Sequence, residues 1–275
     1  MQVKIIIVII GVLGLWGAGC GRGKERKESA LAQVENSGAV PAAVKNLVRA
    51  VADNDSVGFA ALVSYPLQRP YPLRDIDDAS EMENYYSTLI DDSIKRVMTE
   101  SGPDKWSEYG WRGWSVCDGE YVWVDSTLYD IPYVSGRERK ELDEVRRQDI
   151  STLAPELREG WEPVAAMRSE DGRLWRIDAR NNSDTSADGN LRLMMYDADA
   201  DVHDLPQSTM SGRLVTEGSA LEHNYTFAMP DGGEAIWNPN PPDGASPAIT
   251  VTSPDGFEDV IPVRKIYWLD LVKKK

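Results

Sequence analysis

"WEPVAAMRSEDGRLWRIDAR", residues 161–180, decides how this chain divides. Two runs of strand-forming residues flank Asp171-Gly172, a dipeptide suited to a tight turn with left-handed backbone, and the second run opens with Leu174-Trp175-Arg176-Ile177, so a β-hairpin is expected. A sister signal lies upstream in "GWSVCDGEYVWVD", residues 113–125, which turns at Asp118-Gly119. A two-residue turn there sets Trp114 opposite Trp123 and Val116 opposite Tyr121 on one face. Ser115, Cys117, Glu120 and Val122 take the other. Both hairpins are expected to join one antiparallel sheet.

Before the hairpins the apolar period is helical. Val44, Leu47, Val48 and Val51 form one face, Asn54-Asp55-Ser56 caps a short second helix carrying Phe59, Leu62 and Val63, and Pro66, Pro70 and Pro72 impose an extended connection. Asp78-Ala79-Ser80 opens a further helix with Met82, Tyr85, Tyr86 and Leu89, continuing to Thr99 with a break until Gly102-Pro103 stops it. Between the hairpins, residues 135–160 carry both signs of charge and predict a helix over 137–148 with Leu142 and Val145 as its stripe. Helices covering one face of a curved antiparallel sheet make an α+β domain. Beyond residue 180 the polar stretch 181–190 is the expected domain boundary. Strand-like runs then follow, separated by "PDGG", "NPNPPDG" and "SPDG", which predict an all-β sandwich or small barrel.

The order of helices, Pro-rich turn, helix and two hairpins over residues 41–180, with "FAALVSYPLQ" and "ASEMENYYSTLIDDSI" as opening helices, resembles bacterial envelope proteins with a cone-shaped NTF2-like domain. That resemblance implies a cavity-bearing domain of a superfamily holding both enzymes and non-catalytic binders, and it carries over no catalytic residue. The expected organisation is a signal peptide at 1–19, a lipidated cysteine and tether at 20–40, the α+β domain at 41–182 and the all-β domain at 183–275.

The chain's beginning motivates the first two of those divisions. Lys4 precedes an uncharged apolar run from Ile5 to Gly19, shorter than the roughly 20 residues a spanning helix needs, which favours a signal peptide. "GAGC", residues 17–20, resembles a bacterial lipobox, in which small residues precede a cysteine that becomes lipidated; Gly17 stands where a leucine is usual. Ordinary signal-peptidase cleavage and an uncleaved anchor are the other readings. The lipobox implies Cys20 as a lipid anchor, a location in the cell envelope (outer membrane or periplasm-facing in a Gram-negative cell), and Cys117 as an unpaired thiol, because the chain has only two cysteines.

A net charge of -15 repels nucleic acid and anionic headgroups and suits a basic partner. There is no Gly-x-Ser-x-Gly elbow, no His-Glu-x-x-His, no P-loop and no dinucleotide fingerprint, so no catalytic residue and no cofactor is assigned. His203 and His223 are the only histidines, and their spacing builds no Ser-His-Asp triad. Asp197, Asp199 and Asp201 in "YDADADVHD" are the candidates for a hard cation, but Val202 and Ser208 stand where a calcium loop needs glycine and glutamate, and a solvated acidic loop is the preferred reading. Trp111, Trp114 and Trp123, gathered at the first hairpin, are the candidate ligand-binding aromatics, with core filling as the competing role. The reading that results is a lipid-anchored, non-catalytic binding module for a basic protein or glycan partner. A structural component of an envelope complex and an envelope carbohydrate or cell-wall hydrolase are the alternatives.

Overall fold

Residues 29–217, 222–239 and 246–273 are described by the computed structural model. The signal-peptide, Cys20 and uncleaved-anchor readings fall outside them. Helix α1 (Ala30–Asn36) is capped by the Ser29 hydroxyl, which accepts from Ala32 N at 3.2 Å. Leu31 and Val34, three residues apart, dock on the first core, and Val34 is fully buried. The expected tether over 20–40 is therefore too long, because one apolar turn is too short to register as a helical period yet long enough to pack.

In α2 (Ala42–Asp53) the residues Val44, Leu47, Val48 and Val51 are all buried, as their spacing requires, and left-handed Asn54 (φ 53°) ends it. Helix α3 (Ser56–Ala60) is capped by Asp55 onto Gly58 N at 2.8 Å and stops before Leu62 and Val63. Val63 instead forms a bridge to Leu128. Helix α4 (Ala79–Leu89) starts on its Asp78 cap and buries Met82, Tyr86 and Leu89. The break expected near residue 90 falls at Asp91, the cap of α5 (Asp92–Glu100).

Asp91 ties three elements together. Its carboxylate accepts from Ser93 N at 2.9 Å, Ile94 N at 3.2 Å, Tyr133 Oη at 3.0 Å and Gly136 N at 3.1 Å. Burial alone would raise its pKa, but these donors, led by Gly136 N–H, outweigh burial and hold it below the ordinary 3.8. A folded pKa below the unfolded one means its stabilisation is complete above the unfolded value and is lost as pH falls through the folded one. Asp91→Ala is expected to cost about 1–2 kcal/mol near neutral pH. Its denaturation midpoint should converge with that of the parent as the solution is acidified below pH 3.8, the ordinary value.

The first sheet runs β1 (Trp106–Glu108), β2 (Trp114–Val116), β3 (Trp123–Val124) and β4 (Leu128–Asp130), in that order. Asp118-Gly119 does turn with positive φ at both residues, but Cys117 is left-handed as well, at φ 52°. The register consequently shifts by one: Trp114 faces Val124 and Ser115 faces Trp123. The expected pairing of Trp114 with Trp123 is thus corrected, and the two rings lie on opposite faces of the hairpin.

Helix α6 (Gly136–Ser151) leads to a closed barrel. Its strands are β5 (Trp161–Ser169), β6 (Leu174–Arg180), β7 (Leu191–Tyr196), β8 (Ser208–Glu217), β9 (Glu222–Ala228), β10 (Glu234–Trp237), β11 (Ala248–Thr252) and β12 (Glu258–Lys265). Each pairs antiparallel with the next, and β12 closes on β5 through Val263 opposite Ser169. The hairpin at 161–180 forms around Asp171-Gly172 but belongs to this barrel, not to the first sheet. The stretch expected as a domain boundary connects the paired strands β6 and β7. Alternation shows that a segment is a strand with a buried face; it does not say which sheet receives it.

Trp175, Ile177, Leu193, Phe227 and Ile249 belong to the core of the barrel, which is filled with side chains as a small barrel requires. The outer face of β6 is buried too, because Tyr71, Leu153, Ala166, Leu174, Met194, Tyr196 and Trp268 form another core against the first half and α7 (Trp268–Val272). Into this seam go charges. Tyr71 Oη donates to Asp149 at 3.0 Å, Asp149 pairs with Arg176, Arg176 Nε donates to Asp178 at 2.8 Å, and Asp178 accepts from Arg192 Nη2 at 2.6 Å. Trp268 covers the Arg176 guanidinium at 4.9 Å. Burial opposes the Arg176 charge, but Asp178 and Asp149 more than offset it and raise its pKa. Arg69 crosses the first half likewise, donating to Glu138 from Nε at 2.7 Å and Nη2 at 2.6 Å, and to Ile131 O at 2.6 Å. Among the described residues no helix is long and apolar enough to cross a membrane.

Candidate functional site

The turn between β1 and β2 presents Trp111. Gly110 (φ 59°) and Gly113 (φ 77°) bracket one turn of 3-10 helix, closed by Tyr109 N donating to Gly113 O at 2.8 Å and Gly113 N to Gly110 O at 3.0 Å. Tyr129 Oη, from β4, pins the turn by donating to Arg112 O at 2.8 Å. A Cβ on Gly113 would lie 2.4 Å from Val124 O, so the turn reaches the sheet only through glycine. Gly113→Ala is expected to destabilise by about 1–3 kcal/mol, read as a lower thermal midpoint.

Trp111 is 80% exposed. Arg112 stands between two rings, 5.4 Å from the Trp111 centroid and 5.9 Å from that of Trp123. Tyr109 meets Trp123 edge-on at 5.1 Å and donates to Asp118 at 2.9 Å. That hydrogen bond is the largest cause raising the Tyr109 pKa. Gly119, at φ 90°, passes under Trp123, where a Cβ would come 2.5 Å from the ring. The result is an aromatic ledge, Tyr109–Trp123–Arg112–Trp111, fixed by backbone rather than by side-chain chance. From Trp106 to Asp130 the sequence carries five carboxylates against the single Arg112, and Glu108, Asp118, Glu120 and Asp125 are exposed. Trp114 packs against the first core instead. The structure therefore brings Trp111 and Trp123 together through Arg112 and separates Trp114 from them.

The other candidates go elsewhere. Among the described residues no three His, Cys, Asp or Glu side chains converge as a metal site. The acidic loop holding Asp197, Asp199 and Asp201 caps its own turns, with His203 N donating to Asp201 at 3.0 Å and Asp201 N to Asp204 at 2.8 Å. His203 Nδ1 meets Thr152 O, and His223 Nδ1 meets Thr216 Oγ1 at 3.1 Å. Cys117 is half-buried and has no disulfide partner among the described residues.

A cleft of about 740 Å³ separates the two halves, lined by residues including Arg74, Asp75, Tyr85, Glu141, Lys265 and Tyr267. Its charges are largely satisfied by one another. Arg74 pairs with Asp270 and Lys265 with Asp75 at 2.7 Å, and both cations lie over the Tyr267 ring, at 4.7 and 5.4 Å. Burial, with Asp75 adding to it, pushes the Tyr267 pKa up to about 12. This is a clasp between the halves. Sequence reasoning did not find it, nor the buried Asp149–Arg176–Asp178–Arg192 chain; the available signal was Arg176 and Asp178 two apart on one strand face.

No protein-family model matches the chain, and no curated protein or solved structure shows significant similarity to it. The functional reading rests on the ledge and its surroundings.

Proposed function

We propose that this protein is a non-catalytic binding module of the cell envelope, anchored through lipid on Cys20, that engages a basic protein through the Trp111 ledge. The observation that carries this reading is Trp111 itself, 80% exposed on a braced turn among exposed carboxylates. Exposed, pre-oriented aromatics make strong anchors because little side-chain entropy is lost on contact. Surrounding carboxylates steer a cationic surface and select against acidic ones. The buried carboxylates Glu138, Asp149 and Asp178 are held by arginines, which favours binding over hydrolysis. An NTF2-like reading of the first half would draw on α2–α5 and the four short strands alone.

The test is surface plasmon resonance of the full chain against basic proteins, lysozyme among them, with a neutral protein as control. The expected result is binding to a basic protein that weakens as salt is added. Absence of binding at low salt, or equal binding of the neutral control, defeats the reading.

A further inference from the structure

A second cavity, of about 480 Å³, lies beside α6, where the chain enters β5 and leaves β6. Its size suits a small-molecule ligand. Arg146, Arg147 and Arg158 line it together with Trp161, Asn181 and Asn182, against the carboxylates of Asp143 and Glu162. Arg180 lies outside that lining, with its guanidinium 4.7 Å over the ring of Trp161, its cross-strand partner. On a chain of net charge -15 this is a concentration of cations.

These arginines are not equivalent. Arg146 gives Nη1 to Glu162 at 2.9 Å, and its Nε is buried with no hydrogen-bond partner. Arg147 pairs with Glu144 on the surface. Arg158 uses Nε on Leu153 O at 2.8 Å, and neither Arg158 nor Arg180 has an ion-pair partner among the described residues. The side-chain amides of Asn181 and Asn182 also make no hydrogen bond among the described residues. Guanidinium groups with free N–H edges, held on orienting contacts, present the fork that matches an oxyanion. Adjacent primary amides both donate and accept, which suits hydroxyls.

We infer that this cavity binds a small hydroxylated oxyanion, a sugar acid or sugar phosphate. Arg158 holds the charged group, Arg180 adds its charge from beside Trp161, and Asn181 and Asn182 meet hydroxyls. The site is separate from the Trp111 ledge and stands whether or not that ledge binds a protein.

Isothermal titration of the full chain at low salt with glucuronate, glucose 6-phosphate and glucose tests it. Saturable binding of at least one anion, with none for glucose, is expected; glucuronate alone identifies a carboxylate ligand and glucose 6-phosphate alone a phosphate. The double variant Arg158→Gln/Arg180→Gln, whose two positions are exposed, should bind the anion at least about tenfold more weakly and still unfold in one cooperative transition. Asn181→Ala/Asn182→Ala keeps the charge and should erase the preference for the sugar anion over inorganic phosphate. Failure of both anions to bind, equal binding of glucose, or parent-like affinity in the arginine variant overturns the assignment.

Discussion

Arg176→Leu is expected to destabilise the fold by about 3–5 kcal/mol, read as a lower midpoint in chemical denaturation. The side chain is fully buried between Asp149 and Asp178, so its removal leaves two carboxylates in the seam with Tyr71 and Arg192 as their remaining partners. Burial already raises the Asp149 pKa above 3.8, with Arg176 acting against that rise. Loss of the arginine removes the counterweight. Surface pairs provide the contrast: Arg147→Ala, which breaks an exposed contact with Glu144, should cost under about 1 kcal/mol. A midpoint for Arg176→Leu that matches Arg147→Ala would contradict the buried network.

Trp111→Ala should weaken binding to a basic protein by about 2 kcal/mol or more, roughly thirtyfold in Kd, and leave stability within about 0.5 kcal/mol. That combination follows from its exposure of 80%. Trp123→Ala should lower both binding and stability, since Trp123 is half-buried and packs on Tyr109 and over Gly119. Trp114→Ala should act on stability alone, because Trp114 lies against the first core. The three variants, compared by surface plasmon resonance and denaturation, separate recognition from packing. Unchanged affinity in Trp111→Ala would remove the ledge from the binding surface.

Local patterns made most elements legible. The apolar spacing of α2, the Asp55, Asp78 and Asp91 caps, and the turns at Asp118-Gly119 and Asp171-Gly172 are each set by neighbours within a few residues. Partner choice is not local. Trp161–Arg180 has the same alternation whether it extends the first sheet or begins a barrel, and closure by β12 comes from residues about a hundred positions away. The ledge was legible in composition but not in geometry, because one left-handed residue, Cys117, turned Trp123 away from Trp114. The clasp over Tyr267 joins segments far apart in sequence, and the arginine cavity gathers residues of α6, β5 and the turn after β6, whose charges are individually ordinary in a chain so rich in them.

The closing strand and the helix after it also constrain how the molecule is made. Trp268 N donates to Tyr71 Oη at 3.3 Å across 197 positions, and β5 gains its second neighbour only when β12 arrives. Contacts this remote in sequence form slowly, after the entropy of a long loop has been overcome. A nascent chain not yet extended through β12 and α7 has an open sheet edge and an uncovered seam, so the native structure is completed only after those two elements have emerged.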